Sequence, residues 1–276
     1  MMRSLVPLIF MALTSSCIDF SMDPSEINEA FAEATYKPES GIVTLDSNHL
    51  HYVYVDNDRS GLVVFVHGSP GSWSAFMDYF KNDSLLQSFD MVSVDRPGYG
   101  LSDRGRPMSS MEAQAAIISE VIRHFEHERV ILVGHSLGGP VIARIAMDYP
   151  ELVDGLVMVA PSIDPEQEKY EWYRSWIDTK VGGWFTPTDF WVSNEEILPL
   201  KDELQLMLPL WDQIRVPTIV VQGTKDMLVP KENAEFAHRM ISDSLVEVRY
   251  LEGANHFIPW SHPEAINRAI VDIFAR

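Results

Sequence analysis

The chain has 276 residues, 46% of them hydrophobic, a formal net charge of −19 and one cysteine. That length and apolar content suit one large globular core, with room for an insertion. The acidity leaves no basic footprint for nucleic acid, and a single cysteine excludes an intrachain disulfide.

Met1-Met2-Arg3-Ser4 opens the chain with one positive charge, and Leu5 to Leu13 is apolar but too short to span a bilayer as a helix. Thr14-Ser15-Ser16 are small and Cys17 follows, so residues 1–16 have the layout of a secretory signal peptide. Cys17 resembles the modified cysteine of bacterial lipoproteins, with Leu13 standing one place early and Thr14 where that pattern has leucine. Three readings follow: lipidation and membrane attachment at Cys17, cleavage without lipid, or a buried thiol. The first two imply export to the cell envelope. Residues 17–40 are polar and acidic, with Pro24 and Pro38, and read as a tether or arm.

From residue 41 strand-like and helix-like segments alternate. Strands are expected at His51–Val55, Leu62–Val66, Met91–Val94, Val130–Val133, Leu156–Val159, Thr218–Val221 and Val246–Tyr250. The uninterrupted apolar runs among them suit central strands buried on both faces. Ile118, Val121, Ile122 and Phe125 share one face of a helix spanning about Met111 to His127, and a last helix begins near Pro263. This alternation predicts an α/β fold, a mainly parallel central sheet with helices on both faces. Ligands on such sheets sit at the carboxyl ends of the strands. Residues 162–214 break the alternation and hold five of the seven tryptophans. They read as a small helical cap between two core segments, 41–161 and 215–276. Ser193 and Glu196 have the spacing of a capping box opening a helix there. Trp73, Trp172, Trp176, Trp184 and Trp191 are expected to wall a pocket for an apolar ligand.

Gly134-His135-Ser136-Leu137-Gly138-Gly139 directly follows the run Val130–Val133. This is G-x-S-x-G between a strand and a helix, the context in which a tight turn presents a serine hydroxyl for attack. Such a serine needs a base, an acid to orient it and donors for the developing oxyanion. His256, in the loop before the terminal helix, follows Ser136 in the right chain order, and His262 is its local rival. Asp226 closes a strand-end loop thirty residues before His256, and Asp164 is the alternative acid. The backbone N–H groups of Leu137 and Ser69 are the expected oxyanion donors, the second from the turn His67-Gly68-Ser69-Pro70-Gly71. His67 is expected to bond within that loop.

Taken in order, His67–Gly71, Asp95-Arg96-Pro97-Gly98-Tyr99-Gly100-Leu101-Ser102, Gly134–Gly139, Gly223–Asp226 and Asn255-His256 make the chain resemble the α/β-hydrolase superfamily from about residue 42 to 276. The resemblance implies a nucleophile at Ser136, an acid at Asp226, a base at His256, a cap near 162–214, and a bracing rather than catalytic role for Asp95 and Arg96. The loop at 68–73 also resembles that of epoxide hydrolases and dehalogenases. Those use aspartate where this chain has Ser136, which argues against both activities. The expected activity is hydrolysis of carboxylic esters through an acyl-enzyme, on a small-molecule substrate, with no metal or cofactor. A second reading is a proline-type aminopeptidase or amidase. Its amine would need acids in the cap, for which Glu166, Glu168, Glu171, Glu195 and Glu196 are available. A third is a non-catalytic binding protein on the same scaffold.

Overall fold

The computed structural model describes residues 20–169 and 171–276, so the expected signal peptide at 1–16 and Cys17 lie outside the described residues. Eight strands form one sheet: β1 (Glu39–Leu45), β2 (Asn48–Val55), β3 (Gly61–Val66), β4 (Phe89–Val94), β5 (Arg129–His135), β6 (Gly155–Val159), β7 (Thr218–Gly223) and β8 (Val246–Leu251), in the order β1-β2-β4-β3-β5-β6-β7-β8. β1 with β2 and β2 with β4 pair antiparallel; every other pair is parallel. The hairpin of β1 was not among the expected strands. Its residues alternate between exposed and half-buried, so it lacks the continuous apolar run that marks the central strands.

Among the described residues, eleven helices surround the sheet: α1 (Pro24–Ala30), α2 (Asp83–Leu86), α3 (Met111–His124), α4 (Gly138–Asp148), α5 (Trp172–Ile177), α6 (Lys180–Phe185), α7 (Thr188–Ile197), α8 (Leu200–Met207), α9 (Glu232–Met240), α10 (Ile258–Ser261) and α11 (Pro263–Phe274). Strand side chains alternate between faces. Leu62, Val64 and Val66 of β3 join one core with α3, α4, α9 and the inner side of α8, whereas Val63 and Phe65 join another with α1, α2 and α11. The arm folds further than a tether does. Asp23 and Glu26 form a capping box at α1, and Ile27 and Phe31 are buried in the second core. That burial removes apolar surface from water at about 25 cal/mol per Å².

The cap comprises α5 to α8. The expected capping box is corrected: α7 starts at Thr188 after Pro187, and Ser193 and Glu196 lie inside it, buried. Glu196 is drawn inward by Arg96 instead of folding back on the helix start. Among the described residues no helix is long and apolar enough to cross a membrane.

Candidate active site

β5 ends at His135, and the chain turns through Ser136 with φ of +53° before α4 begins. A non-glycine residue in this region is strained, and such strain gathers at functional sites. The turn is held from both ends. Ser136 N–H donates to Val159 O at 2.9 Å, and Ser136 O accepts from Gly139 N–H at 2.9 Å. A Cβ on Gly138 would collide with the Val66 carbonyl, and one on Gly68 would stand 2.9 Å from Ser136 Cβ. Only glycine lets these three segments approach.

Asp226 follows β7. Its Oδ1 accepts the N–H groups of Leu228 and Val229 at 2.9 and 2.8 Å, and its Oδ2 accepts His256 Nδ1–H at 2.8 Å. The carboxylate side chain is 0% exposed. Burial by itself would raise its pKa. The His256 hydrogen bond and charge, with the two amides, outweigh burial and hold it below the ordinary value. His256 and Ser136 line the same two cavities. Nδ1 is engaged by Asp226, which leaves Nε2 for a second partner.

His135, unassigned by sequence, supports the other side of His256. Its Nε2–H donates to His256 O at 3.0 Å, and the two rings lie 4.7 Å apart between centroids. Trp260 meets His135 edge-on at 5.6 Å. Burial first, then the neighbouring His256, pushes His135 down to about 3, so it is neutral at pH 7. Nothing in the local motif signals this, because the partner is 121 positions away.

The rivals sit elsewhere. The Asp164 carboxylate accepts Glu166 N–H at 3.0 Å and faces Arg239 at 3.5 Å. His262 Nδ1 bonds Ser261 Oγ at 2.9 Å. His67 is buried, donates from Nδ1 to Gly68 O at 2.6 Å and accepts Arg96 N–H at Nε2 at 2.9 Å. Burial, reinforced by Arg96, holds its pKa well below the usual histidine value.

Arg96 organises the loop that holds Ser69. Its Nε donates to His67 O at 2.8 Å and its Nη2 to Gly68 O at 3.0 Å. The same guanidinium grips Glu196 of α7 through both oxygens, at 2.7 and 3.1 Å. Glu196 Oε2 also accepts from Tyr99 OH at 2.6 Å and Ser69 Oγ at 3.0 Å. Arg96 and Glu196 are both fully buried. Asp95 braces the neighbouring turn, accepting Trp73 N–H at 2.7 Å and Leu101 N–H at 3.0 Å. Leu137 caps α4 directly after Ser136, where a helix N–H has no intrahelical acceptor.

The tryptophan expectation is corrected. Trp73 is 0% exposed and packs in the core against Phe31 and Phe80. Trp172, Trp176 and Trp184 are 79%, 51% and 85% exposed on α5 and α6. Trp191 is half-buried near Gly183. The residues lining the two cavities at Ser136 include none of the five. Their helices turn the indoles outward, a choice of helix face that composition does not reveal. Trp260, which was not proposed, does line one cavity.

That cavity, of about 610 Å³, lies between the Ser69 loop, Phe257 and Trp260 of the His256 segment, Phe190 of α7 and Phe20 of the arm. The other, of about 320 Å³, lies under α5 and is lined by Ser162, Glu168, Glu171 and Arg174. Glu171 pairs with Arg174 at 3.0 Å. Glu168 accepts from Ser162 Oγ, and burial raises its pKa.

The structure thus brings together a serine on a strained strand-to-helix turn and a histidine bonded to a buried carboxylate, at the end of a mainly parallel sheet. The sequence matches the alpha/beta hydrolase family over residues 63–269, and the chain belongs to that family. It is 23% identical to epoxide hydrolase 1 of Caenorhabditis elegans, over 84% of this chain and 69% of that protein. It is 22% identical to the uncharacterized hydrolase YugF of Bacillus subtilis, over 83% of this chain and 95% of that one. Among solved structures, the Exiguobacterium antarcticum esterase superposes with a TM-score of 0.67 at 22% identity, covering 84% of this chain and 97% of that one. The epoxide hydrolase CorEH gives 0.67 at 18% identity, covering 86% and 99%. These likenesses establish the fold, and with the family they make the protein a hydrolase.

Proposed function

We propose that the protein cleaves carboxylic esters through an acyl-enzyme on Ser136. The observation that carries this reading is the 2.8 Å bond between His256 and Asp226 beside a serine held at positive φ. His256 Nε2 takes the Ser136 hydroxyl proton as Oγ bonds to the ester carbonyl carbon. The carbonyl oxygen becomes an oxyanion held by the N–H groups of Ser69 and Leu137. The C–O bond to the alcohol breaks, and His256 returns the proton to the departing oxygen. Water then attacks the acyl carbon by the same route, freeing the acid and restoring Ser136. Asp226 fixes the imidazole tautomer and stabilises its charged form.

The name of the Exiguobacterium protein, an esterase, is in keeping with this. Two similar proteins are named epoxide hydrolases. Ser136 at the position where that resemblance expects aspartate weighs against epoxide opening here. Nitrophenyl butyrate turnover that survives Ser136→Ala would sink the mechanism. Amide cleavage is the second reading, favoured by one observation: the Glu168 carboxylate lines the cavity that also holds Ser136 and His256. Glu196, by contrast, is already neutralised by Arg96. A prolyl arylamide turned over faster than the butyrate ester would put this reading first. Export through residues 1–16, with lipid on Cys17, belongs to the same proposal, and intact mass of the membrane fraction tests it.

A further inference from the structure

Ser69, Ser136 and His256 line both cavities, so a scissile bond at Ser136 would sit at their junction. The two sides differ in chemistry. One is charged, with Glu168, Glu171 and Arg174. The other is aromatic, with Phe257, Trp260, Phe190 and Phe20.

Phe20 is the unexpected member, because it comes from the arm and not from core or cap. Its ring packs on Phe190 with centroids 6.5 Å apart. The arm is held at this contact and again further along the chain. Asp189, 1% exposed and bonded to Arg104 at 3.0 Å, stands 3.4 Å from Phe20 N. Further along, Ile27 and Phe31 are sunk in the core, and Phe31 stacks on the buried Trp73. A residue tied down this way is a wall of the cavity.

We propose that the N-terminal arm is part of the substrate site. Phe20 with Phe190 forms the outer wall of the aromatic cavity and packs on the far end of an apolar chain long enough to reach it. The substrate class is an ester joining an apolar chain, in this cavity, to a polar hydrogen-bonding group on the Glu168 and Arg174 side. This rests on the ester reading above.

The test uses the full chain and nitrophenyl acetate, butyrate and octanoate. Phe20→Ala is expected to lower the octanoate-to-acetate ratio of kcat/KM about tenfold, the scale of a lost apolar contact in a pocket. Phe20→Leu, which keeps an apolar filler, is expected to restore most of it. An unchanged ratio in Phe20→Ala, or a parallel fall on all three esters, overturns the proposal. Calorimetric binding of 1-octanol in a Ser136→Ala background reads the cavity without the chemistry. There, adding Phe20→Ala is expected to weaken binding about tenfold, and equal affinity overturns the proposal. Absent ester turnover with intact octanol binding would instead defeat the ester reading alone.

Discussion

At the scale of residues, the proposed charge arrangement is local and strict. Asp226 accepts from two backbone amides, the His256 imidazole and, at 3.4 Å, the Gln222 side chain, and replacing one oxygen by an amide nitrogen turns an acceptor into a donor. Asp226→Asn is therefore expected to lower kcat about 10³ to 10⁴-fold with the fold intact, measured by steady-state kinetics beside circular dichroism. Glu196 is a different case, since it compensates a buried guanidinium. Glu196→Ala leaves Arg96 charged and unpaired, and urea denaturation should show a loss of about 3–5 kcal/mol. The same change removes an acceptor of the Ser69 hydroxyl, so kcat should fall as well. Ser136, Asp226 and His256 were legible in sequence because each stands in a short motif at the end of a strand. Glu196 and His135 were not, because their partners arrive from 100 and 121 positions away.

At the scale of elements, the central strands were readable because burial on both faces leaves unbroken apolar runs. β1 carries no such run, and α1 is too short for its buried Ile27 and the Phe31 at its C-cap to show a period. The tryptophans misled because an indole is equally at home in a core or on a surface; only the packing of its element decides. Two substitutions separate these fates. Trp73→Ala opens a hole beside Phe31 and Phe80 and should cost about 3–5 kcal/mol in thermal or urea unfolding. Trp184→Ala, on a side chain 85% exposed, should change stability by about 0.5 kcal/mol or less.

For the whole molecule, acid is the expected weakness. His135 is held near 3 against an ordinary 6.5, so the unfolded chain takes up a proton that the folded one refuses. Its contribution is complete above about pH 6.5 and declines on acidification toward 3, by up to about 1.4 kcal/mol per pH unit. Asp226 acts in the same sense lower down. Its pKa is depressed, so its contribution is present above the ordinary carboxylate value and is lost as pH falls through the lowered one. Glu168 runs the other way, because its pKa is raised: its contribution is present in acid and is lost as pH rises through the raised value. His67, buried and held well below the usual histidine value, acts in the same sense as His135, so the groups that weaken the fold in acid outweigh half-buried Glu168. Urea midpoints taken from pH 7 down to 4 should fall steadily, and a His135→Gln variant should flatten the upper part of that slope.

The buried pair of Arg96 and Glu196 also divides the cap by how it is anchored. α7 and α8 are riveted to the core by that pair, by Arg104 on Asp189, and by Met111 N–H on Glu203 at 2.8 Å. Lifting them would strand buried charge at a cost of several kcal/mol. α5 and α6 carry their aromatic side chains in water, and one link joining them to α7 is the Asn194 side chain donating to Arg174 O at 3.1 Å. The two halves of the cap are thus anchored by different chemistry, and displacing α5 would strand less buried charge than lifting α7.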